Sequence, residues 1–311
     1  MIMHRGDQTL AIRALKGAAP YIRMYKGKTF VVKAGGGVFG DTDSTRVLIE
    51  QIAILHYFGV RVVMVHGGGP QTTEISEALG VPTRMVEGRR VTDQKAIDVT
   101  AMVLNGLINT RILGICRDLN IDAVGISGVD AGLVRAHRRP PVKIDSGEVV
   151  DYGFVGDIDS VDATVIRKLL DNGLMPVISP LSADEAGVIL NINADTVAAA
   201  IGAALGAEKL ILCTGAPGIL ERLDDPTSLI SYTDLRGLKR LREEKSIVEG
   251  MLPKAKAIES ALQGGVRRVH VVSYKSPEGI LSEVFTNEGT GTLIVADVNA
   301  LTPAEQHGGA S

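Results

Sequence analysis

Two glycine-rich turns in this sequence each follow a β-branched run directly. Lys33 leads into Gly35-Gly36-Gly37-Val38-Phe39-Gly40, and His66 leads into Gly67-Gly68-Gly69-Pro70-Gln71. Turns of this kind expose backbone N–H groups that a phosphate can approach closely, because no Cβ intervenes. Lys33 sets a positive charge beside the first of them. That loop also matches G-x-G-x-x-G literally, the dinucleotide-binding pattern. The pattern wants a carboxylate at the end of the next strand, for the ribose. Here a second glycine loop stands in that place, which argues against an oxidoreductase. Gly27-Lys28-Thr29 resembles the end of a P-loop, but Ile22 occupies the position that requires the earlier glycine. The tripeptide also precedes its strand instead of following it.

The elements that must position these groups read as α/β. Continuous apolar runs predict strands at Thr29 to Lys33, Arg61 to His66, Ala123 to Ser127, Met175 to Ser179, Lys209 to Cys213 and Arg268 to Val272. Such runs fit a parallel sheet covered on both faces. Helical stretches alternate with them at Thr45 to Phe58, Thr92 to Leu119, Asp195 to Leu205 and Pro253 to Leu262. Ligands of open α/β sheets gather at the carboxyl ends of strands, where both glycine loops fall. Ala131 to Asp159 breaks the rhythm with Arg138-Arg139-Pro140-Pro141 and Ser146-Gly147, and predicts antiparallel hairpins inserted into the parallel sheet. Before the first strand, Ala11, Ala14, Leu15 and Ala18 share one helical face, and Pro20 is expected to end or kink that helix.

Composition narrows the function classes. The 311 residues carry 33 Lys plus Arg against 36 Asp plus Glu, a net charge of −3, which argues against a nucleic-acid binder held by bulk charge. Hydrophobic residues make up 45% and charged residues 22%, so the chain is globular and not disordered. Mean hydropathy is +0.18, yet no uninterrupted run approaches a membrane span. Residues 1–10 lack the apolar core of a signal peptide. Two cysteines, Cys116 and Cys213, cannot build a disulfide framework, and the six histidines do not cluster at metal-ligand spacing. A reduced, cytoplasmic setting is the expectation. Ser179-Pro180 suggests a lobe boundary near residue 180.

Five motifs then occur in a fixed order: Lys33-Ala34-Gly35-Gly36, His66-Gly67-Gly68-Gly69-Pro70-Gln71, Gly88-Arg89-Arg90-Val91-Thr92-Asp93, Asn191-Ile192-Asn193-Ala194-Asp195 and Gly250-Met251-Leu252-Pro253-Lys254. Together they resemble the amino acid kinase family over nearly the whole chain, about residue 8 to residue 296. The resemblance implies a three-layer α/β/α sandwich with a mainly parallel sheet. It implies an N-terminal arm at 1–26, an amino-acid-substrate lobe at 27–180, a nucleotide lobe at 181–298 and a loose tail at 299–311. The implied reaction moves the γ-phosphoryl group of ATP, with Mg²⁺, onto the side-chain carboxylate of N-acetyl-L-glutamate, a step toward arginine. Alternatives are a sibling kinase acting on another carboxylate, such as a carrier-bound aminoadipate, and a non-catalytic amino-acid-binding regulator.

The residue types suit that chemistry. A carboxylate nucleophile with a reference pKa of about 4.3 is already ionised, so no general base is needed. Positive charge and in-line positioning are what remain to be supplied. By the resemblance, Lys33 and Lys254 stabilise the transferring phosphoryl group, and Asp195 holds the two lysines. Gly68, Gly69, Arg90 and Asn191 bind the amino acid, and Gly35, Gly36 and Gly218 serve the phosphates and nucleotide. The stretches Ala19-Pro20-Tyr21-Ile22 and Asn287-Glu288-Gly289-Thr290-Gly291-Thr292 are similar to the arginine-sensitive branch, with its interlacing N-terminal helix. They imply Tyr21, His270, Glu288 and Gly291 as arginine contacts in a homodimer or homohexamer. One departure is clear: Gly215 stands where the family reads Asp, on the nucleotide side.

Overall fold

The computed structural model describes residues 5–144, 146–222, 225–244, 246–247, 251–286 and 289–300. An eight-stranded sheet runs through its centre. In chain order the strands are β1 (Thr29–Ala34), β2 (Arg61–His66), β3 (Ala123–Ser127), β4 (Met175–Ser179), β5 (Lys209–Thr214), β6 (Tyr232–Asp234), β7 (Arg268–Ser273) and β8 (Thr292–Val295). Across the sheet the order is β6-β8-β7-β5-β1-β2-β4-β3. Neighbours are parallel except β7 and β8, which run antiparallel. β1 lies between β2 and β5, so the sheet continues unbroken across residue 180.

Alternate strand residues build two separate cores, as a doubly covered sheet requires. Phe30, Val32, Met64 and Ile211 face helices Thr42–Tyr57 and Gln94–Asp118. Val31, Val63, Leu210 and Leu212 face helices Ala194–Leu205 and Leu252–Gln263. The three layers are therefore those expected. All six predicted strands are present, β1, β5 and β7 each one residue longer than read. The first internal helix starts earlier, at Thr42, because the Asp41 carboxylate caps the amides of Asp43 and Ser44 at 2.9 and 3.0 Å.

Two local expectations are corrected. Residues 131–159 do form hairpins, but not within the parallel sheet. Val134–Arg138 and Gly156–Val161 pair in a separate four-stranded sheet with Leu181–Ala183 and Ile189–Asn191, and Val142–Lys143 pairs with Val149–Val150 in a ribbon. Val134 and Ala136 are buried while Arg135 and His137 are exposed, and such a one-sided strand cannot sit in a sheet covered on both faces. The N-terminal helix, Arg5–Tyr25, runs through Pro20. Beyond the proline, Tyr21 packs edge-on against Phe285 and Tyr25 against Phe30, so tertiary burial holds the last turn. Leu15 is 57% exposed, so its face is not docked on the chain's own described residues. Finally, Gln94–Asp118 is long and apolar enough by composition to pass for a membrane span. It nonetheless packs on β3, β4 and the Thr42–Tyr57 helix.

That helix contains a π segment, Met102–Ile108, immediately before Asn109. The buried Asn109 amide donates to Val177 O at 3.1 Å and to His66 Nε2 at 3.2 Å. It thereby pins the end of β2, from which the second glycine loop springs. Asn109→Ala leaves two buried acceptors unpaired, and chemical denaturation is expected to read a loss of about 1–3 kcal/mol.

Candidate functional site

The two glycine loops interlock at the carboxyl ends of β1 and β2. Gln71 Nε2 donates to Gly36 O at 2.8 Å, and a Cβ on Gly36 would lie 2.7 Å from Pro70 Cδ and 2.9 Å from Gly69 N. A side chain at Gly68 would strike Ile108 of the π segment. Glycine is required here by space, since Gly68 has extended φ of −173°. Helix Gly69–Ala78 therefore starts inside the cleft, with its free amides and positive dipole end turned toward any anion there.

Opposite these loops, helix Ala194–Leu205 begins under an Asn193 cap, whose side chain accepts from the amides of Asp195 and Thr196 at 2.8 and 3.2 Å. The cap leaves the Asp195 carboxylate free to point away from its own helix. It meets Lys33 Nζ at 2.8 Å and Lys254 Nζ at 3.0 and 3.1 Å. The three residues are only 6%, 7% and 7% exposed for Lys33, Asp195 and Lys254. Burial alone would raise the Asp195 carboxyl, but the Lys33 and Lys254 charges overcome it and hold its pKa at about 2. Burial and the Lys33 charge both lower the Lys254 pKa. Two ammonium groups thus converge on one carboxylate, though they come from the end of β1 and from the first turn of helix Leu252–Gln263.

A cavity of about 450 Å³ opens beside this triad. Lys33, Gly35, Gly36, Gly68, Gly69, Arg90, Asn191 and Asp195 all border it. Arg90 is held ready: its guanidinium donates to Thr83 Oγ1 at 2.8 Å, Thr73 Oγ1 at 2.6 Å and Gly69 O at 3.2 Å. Asn191 is fixed through its N–H, which donates to Phe154 O at 2.9 Å. Gly218 lies elsewhere. It is buried where a Cβ would meet Leu229 and Thr292 at 2.6 Å, so it serves packing and does not border the cavity. Arg139, paired with Asp157 at 2.5 Å, also borders the cavity and was missed. The Arg138-Arg139 pair ahead of two prolines was its only sequence signal.

Two of the arginine candidates, His270 and Gly291, meet at a second place through Glu283. His270 Nδ1 sits 2.8 Å from Glu283 Oε1, and Glu283 Oε2 accepts from Gly291 N at 3.1 Å. Lys209 Nζ approaches His270 Nε2 at 3.0 Å and lies 5.0 Å from the Tyr25 ring centre. Burial, then the charge of nearby Arg268, lowers Lys209 to about 7. Burial, then the Lys209 charge, lowers His270 to about 4. Lys209 and Glu283 were not foreseen, because a lone charge in an apolar strand or helix carries no motif. Tyr21 packs nearby on Phe285, and Glu288 lies outside the described residues.

No group of three or more His, Cys, Asp or Glu able to hold a metal occurs among the described residues. The only carboxylate in the triad is already taken by two lysines.

Paired ammonium groups, two anion-accepting loops and a guanidinium define a phosphotransferase that handles a small anionic acceptor. Comparisons with known proteins agree. Residues 28–273 match the amino acid kinase family. The acetylglutamate kinase of Myxococcus xanthus is 46% identical, covering 94% of this chain and 96% of its own. That of Symbiobacterium thermophilum is 42% identical over 90% and 96%. The structure of Neisseria gonorrhoeae N-acetylglutamate synthase with coenzyme A and N-acetyl-glutamate superimposes with a TM-score of 0.80 at 25% identity, covering 95% of this chain and 67% of that one. The chain belongs to the amino acid kinase family, among its acetylglutamate kinases.

His66 is structural. Its Nδ1 faces Gly67 O at 3.3 Å and its Nε2 accepts from Asn109, which fixes the neutral ring. Burial lowers its pKa from 6.5 to about 4. The unfolded chain takes up a proton below about pH 6.5, whereas the folded chain does not until about pH 4. Stability from His66 is therefore fully present above pH 6.5 and is lost as pH falls toward 4, by at most about 1.4 kcal/mol per pH unit. Denaturation series from pH 7 to 4.5 are expected to show a shallower acid slope for His66→Gln than for the parent.

Proposed function

We propose that this chain transfers the γ-phosphoryl group of ATP to the side-chain carboxylate of N-acetyl-L-glutamate. One observation carries the reading: Lys33 and Lys254 converge on Asp195, and Lys33 and Asp195 border a cavity that both glycine loops line. A carboxylate oxygen of the acceptor attacks the γ-phosphorus, the bond to the bridging oxygen of ADP breaks, and an acyl phosphate forms. The nucleophile arrives ionised, so no group of the chain needs to take a proton. The two lysines offset charge on the equatorial and bridging oxygens as it redistributes, and Asp195 keeps them from moving apart. Arg90 pairs with the α-carboxylate of the acceptor through its planar fork. Asn191 meets the acetamido group, while the amides at Gly68 and Gly69 receive the reacting end.

ATP arrives with Mg²⁺, which neutralises phosphate charge. With Asp195 committed to lysine, the ion would be held chiefly by phosphate oxygens and water and would supply charge neutralisation there. Residues 27–180 are assigned to the amino acid and 181–298 to the nucleotide, with Gly218 supporting the latter from behind. The setting is cytoplasmic and the pathway that of arginine. L-Arginine is proposed as a feedback inhibitor at the Lys209–His270–Glu283 cluster, with Tyr21, Glu288 and Gly291 as further candidate contacts. The exposed face of helix Arg5–Tyr25 is proposed to join subunits of a homo-oligomer.

A coupled ADP-release assay is expected to show turnover with N-acetyl-L-glutamate and little with glutamate, aspartate or aminoadipate. Preference for a carrier-bound aminoadipate would replace the acceptor named here. Lys33→Met and Lys254→Met are each expected to cut kcat by about 10²- to 10³-fold, the scale of one electrostatic group. Wild-type kcat in either variant would contradict the mechanism. For the regulatory reading, arginine is expected to inhibit, and deletion of residues 1–25 is expected to lower the native mass. No inhibition and an unchanged mass would remove it.

A further inference from the structure

We propose that Tyr274 contacts the bound nucleotide, its phenol O–H donating to a phosphate oxygen above the Gly35–Gly40 loop. β1, β5 and β7 are adjacent and parallel, so their carboxyl ends meet at one edge of the sheet. This is the edge where open α/β sheets bind ligands. The first end carries the phosphate loop, the second ends in Thr214-Gly215, and Tyr274 follows the third directly. Its N–H donates to Thr214 O at 2.9 Å, which ties its backbone to the middle strand.

The ring lies across both neighbouring loops. A Cβ at Gly37 would fall 2.7 Å from the phenol oxygen and 3.4 Å from Cζ. A Cβ at Gly215 would fall 3.4 Å from that oxygen and 3.7 Å from Cε1. Neither glycine has a positive φ, so backbone conformation does not demand glycine at either place. At Gly37 space does, while at Gly215 a Cβ would stand in ordinary contact with the same ring, so one phenol lies against both positions. At Gly37 any side chain would have to push the phenol aside.

Among the described residues the Tyr274 hydroxyl meets no hydrogen-bonding partner. The loop beneath it starts at Gly35, where a Cβ would stand 3.7 Å from Lys33 Nζ. The phenol therefore hangs over the same loop that leads away from the catalytic lysine. A phenol is a neutral donor, whereas the acid expected at Gly215 could only accept. A donor suits an anionic phosphate oxygen, and a donor–anion hydrogen bond is among the stronger kinds. Filling the gap between two glycines is the competing role, and it would need the ring but not the hydroxyl.

This inference rests on the kinase reading, and the test separates the two. Tyr274→Phe keeps the ring and removes only the donor. It is expected to raise the KM for ATP, and the calorimetric Kd for ADP, by about tenfold. kcat should stay within about twofold and the KM for N-acetyl-L-glutamate should not move, since the phenol is proposed to bind nucleotide in ground and transition states alike. Gly37→Ala, which displaces the phenol while keeping the tyrosine, should weaken ADP binding in the same direction. Parental ADP affinity in Tyr274→Phe, with loss only in Tyr274→Ala, would assign the ring to packing and overturn the proposal. A parent that binds ADP but phosphorylates none of the acceptors would sink the kinase assignment and leave Tyr274 standing.

Discussion

A single buried carboxylate makes the site possible. Lys33 and Lys254 bring like charges into a cleft with little water, where their repulsion is far stronger than in solution. Asp195 touches both, at 2.8 and 3.0 Å, and converts a repelling pair into a bridged one. Removing one member of such a cluster leaves charge uncompensated, which commonly costs about 3–5 kcal/mol. The arrangement therefore constrains three elements together: the end of β1, the start of helix Ala194–Leu205 and the start of helix Leu252–Gln263. Asn193 contributes by capping the middle helix, which frees Asp195 from that task.

The rest of the cleft follows from the acceptor's chemistry. An ionised carboxylate and a polyphosphate repel each other, so the protein's task is to gather positive potential in a fixed geometry. In the proposed reaction, formal charges from Lys33, Lys254 and Arg90 do part of this, and backbone amides at a helix start and two glycine loops do the remainder. Those loops can interlock only because a side chain is missing at Gly36, and the second loop can lie against the π segment only because one is missing at Gly68.

Much of this was legible in the residues. Six of the eight central strands are continuous apolar runs, and both faces of the sheet can be read from them. The paired lysines and Asp195 were legible only as motifs in order, since residues 33, 195 and 254 converge solely through the fold. β6 and β8 escaped notice because they are short edge-region strands whose identity comes from pairing, not from pattern. Pro20 misled because a local rule was outweighed by burial of Tyr21 and Tyr25. Gly218 carries a nucleotide-side role only through the resemblance, and what its surroundings show is close packing, a Cβ there falling 2.6 Å from Leu229 and Thr292. Of the Lys209–His270–Glu283 chain only His270 was legible, through the resemblance, since Lys209 and Glu283 lie 61 and 13 residues from it and carry no motif.

The central claim is that Asp195 works only through the two lysines. The most direct test is a double-mutant cycle on kcat with Asp195→Asn and Lys33→Met, each variant first shown to be folded by circular dichroism. If the carboxylate acts by aligning the ammonium groups, the double variant should be scarcely slower than the slower single variant. Losses that simply multiply would mean that Asp195 and Lys33 act independently, and would contradict the account.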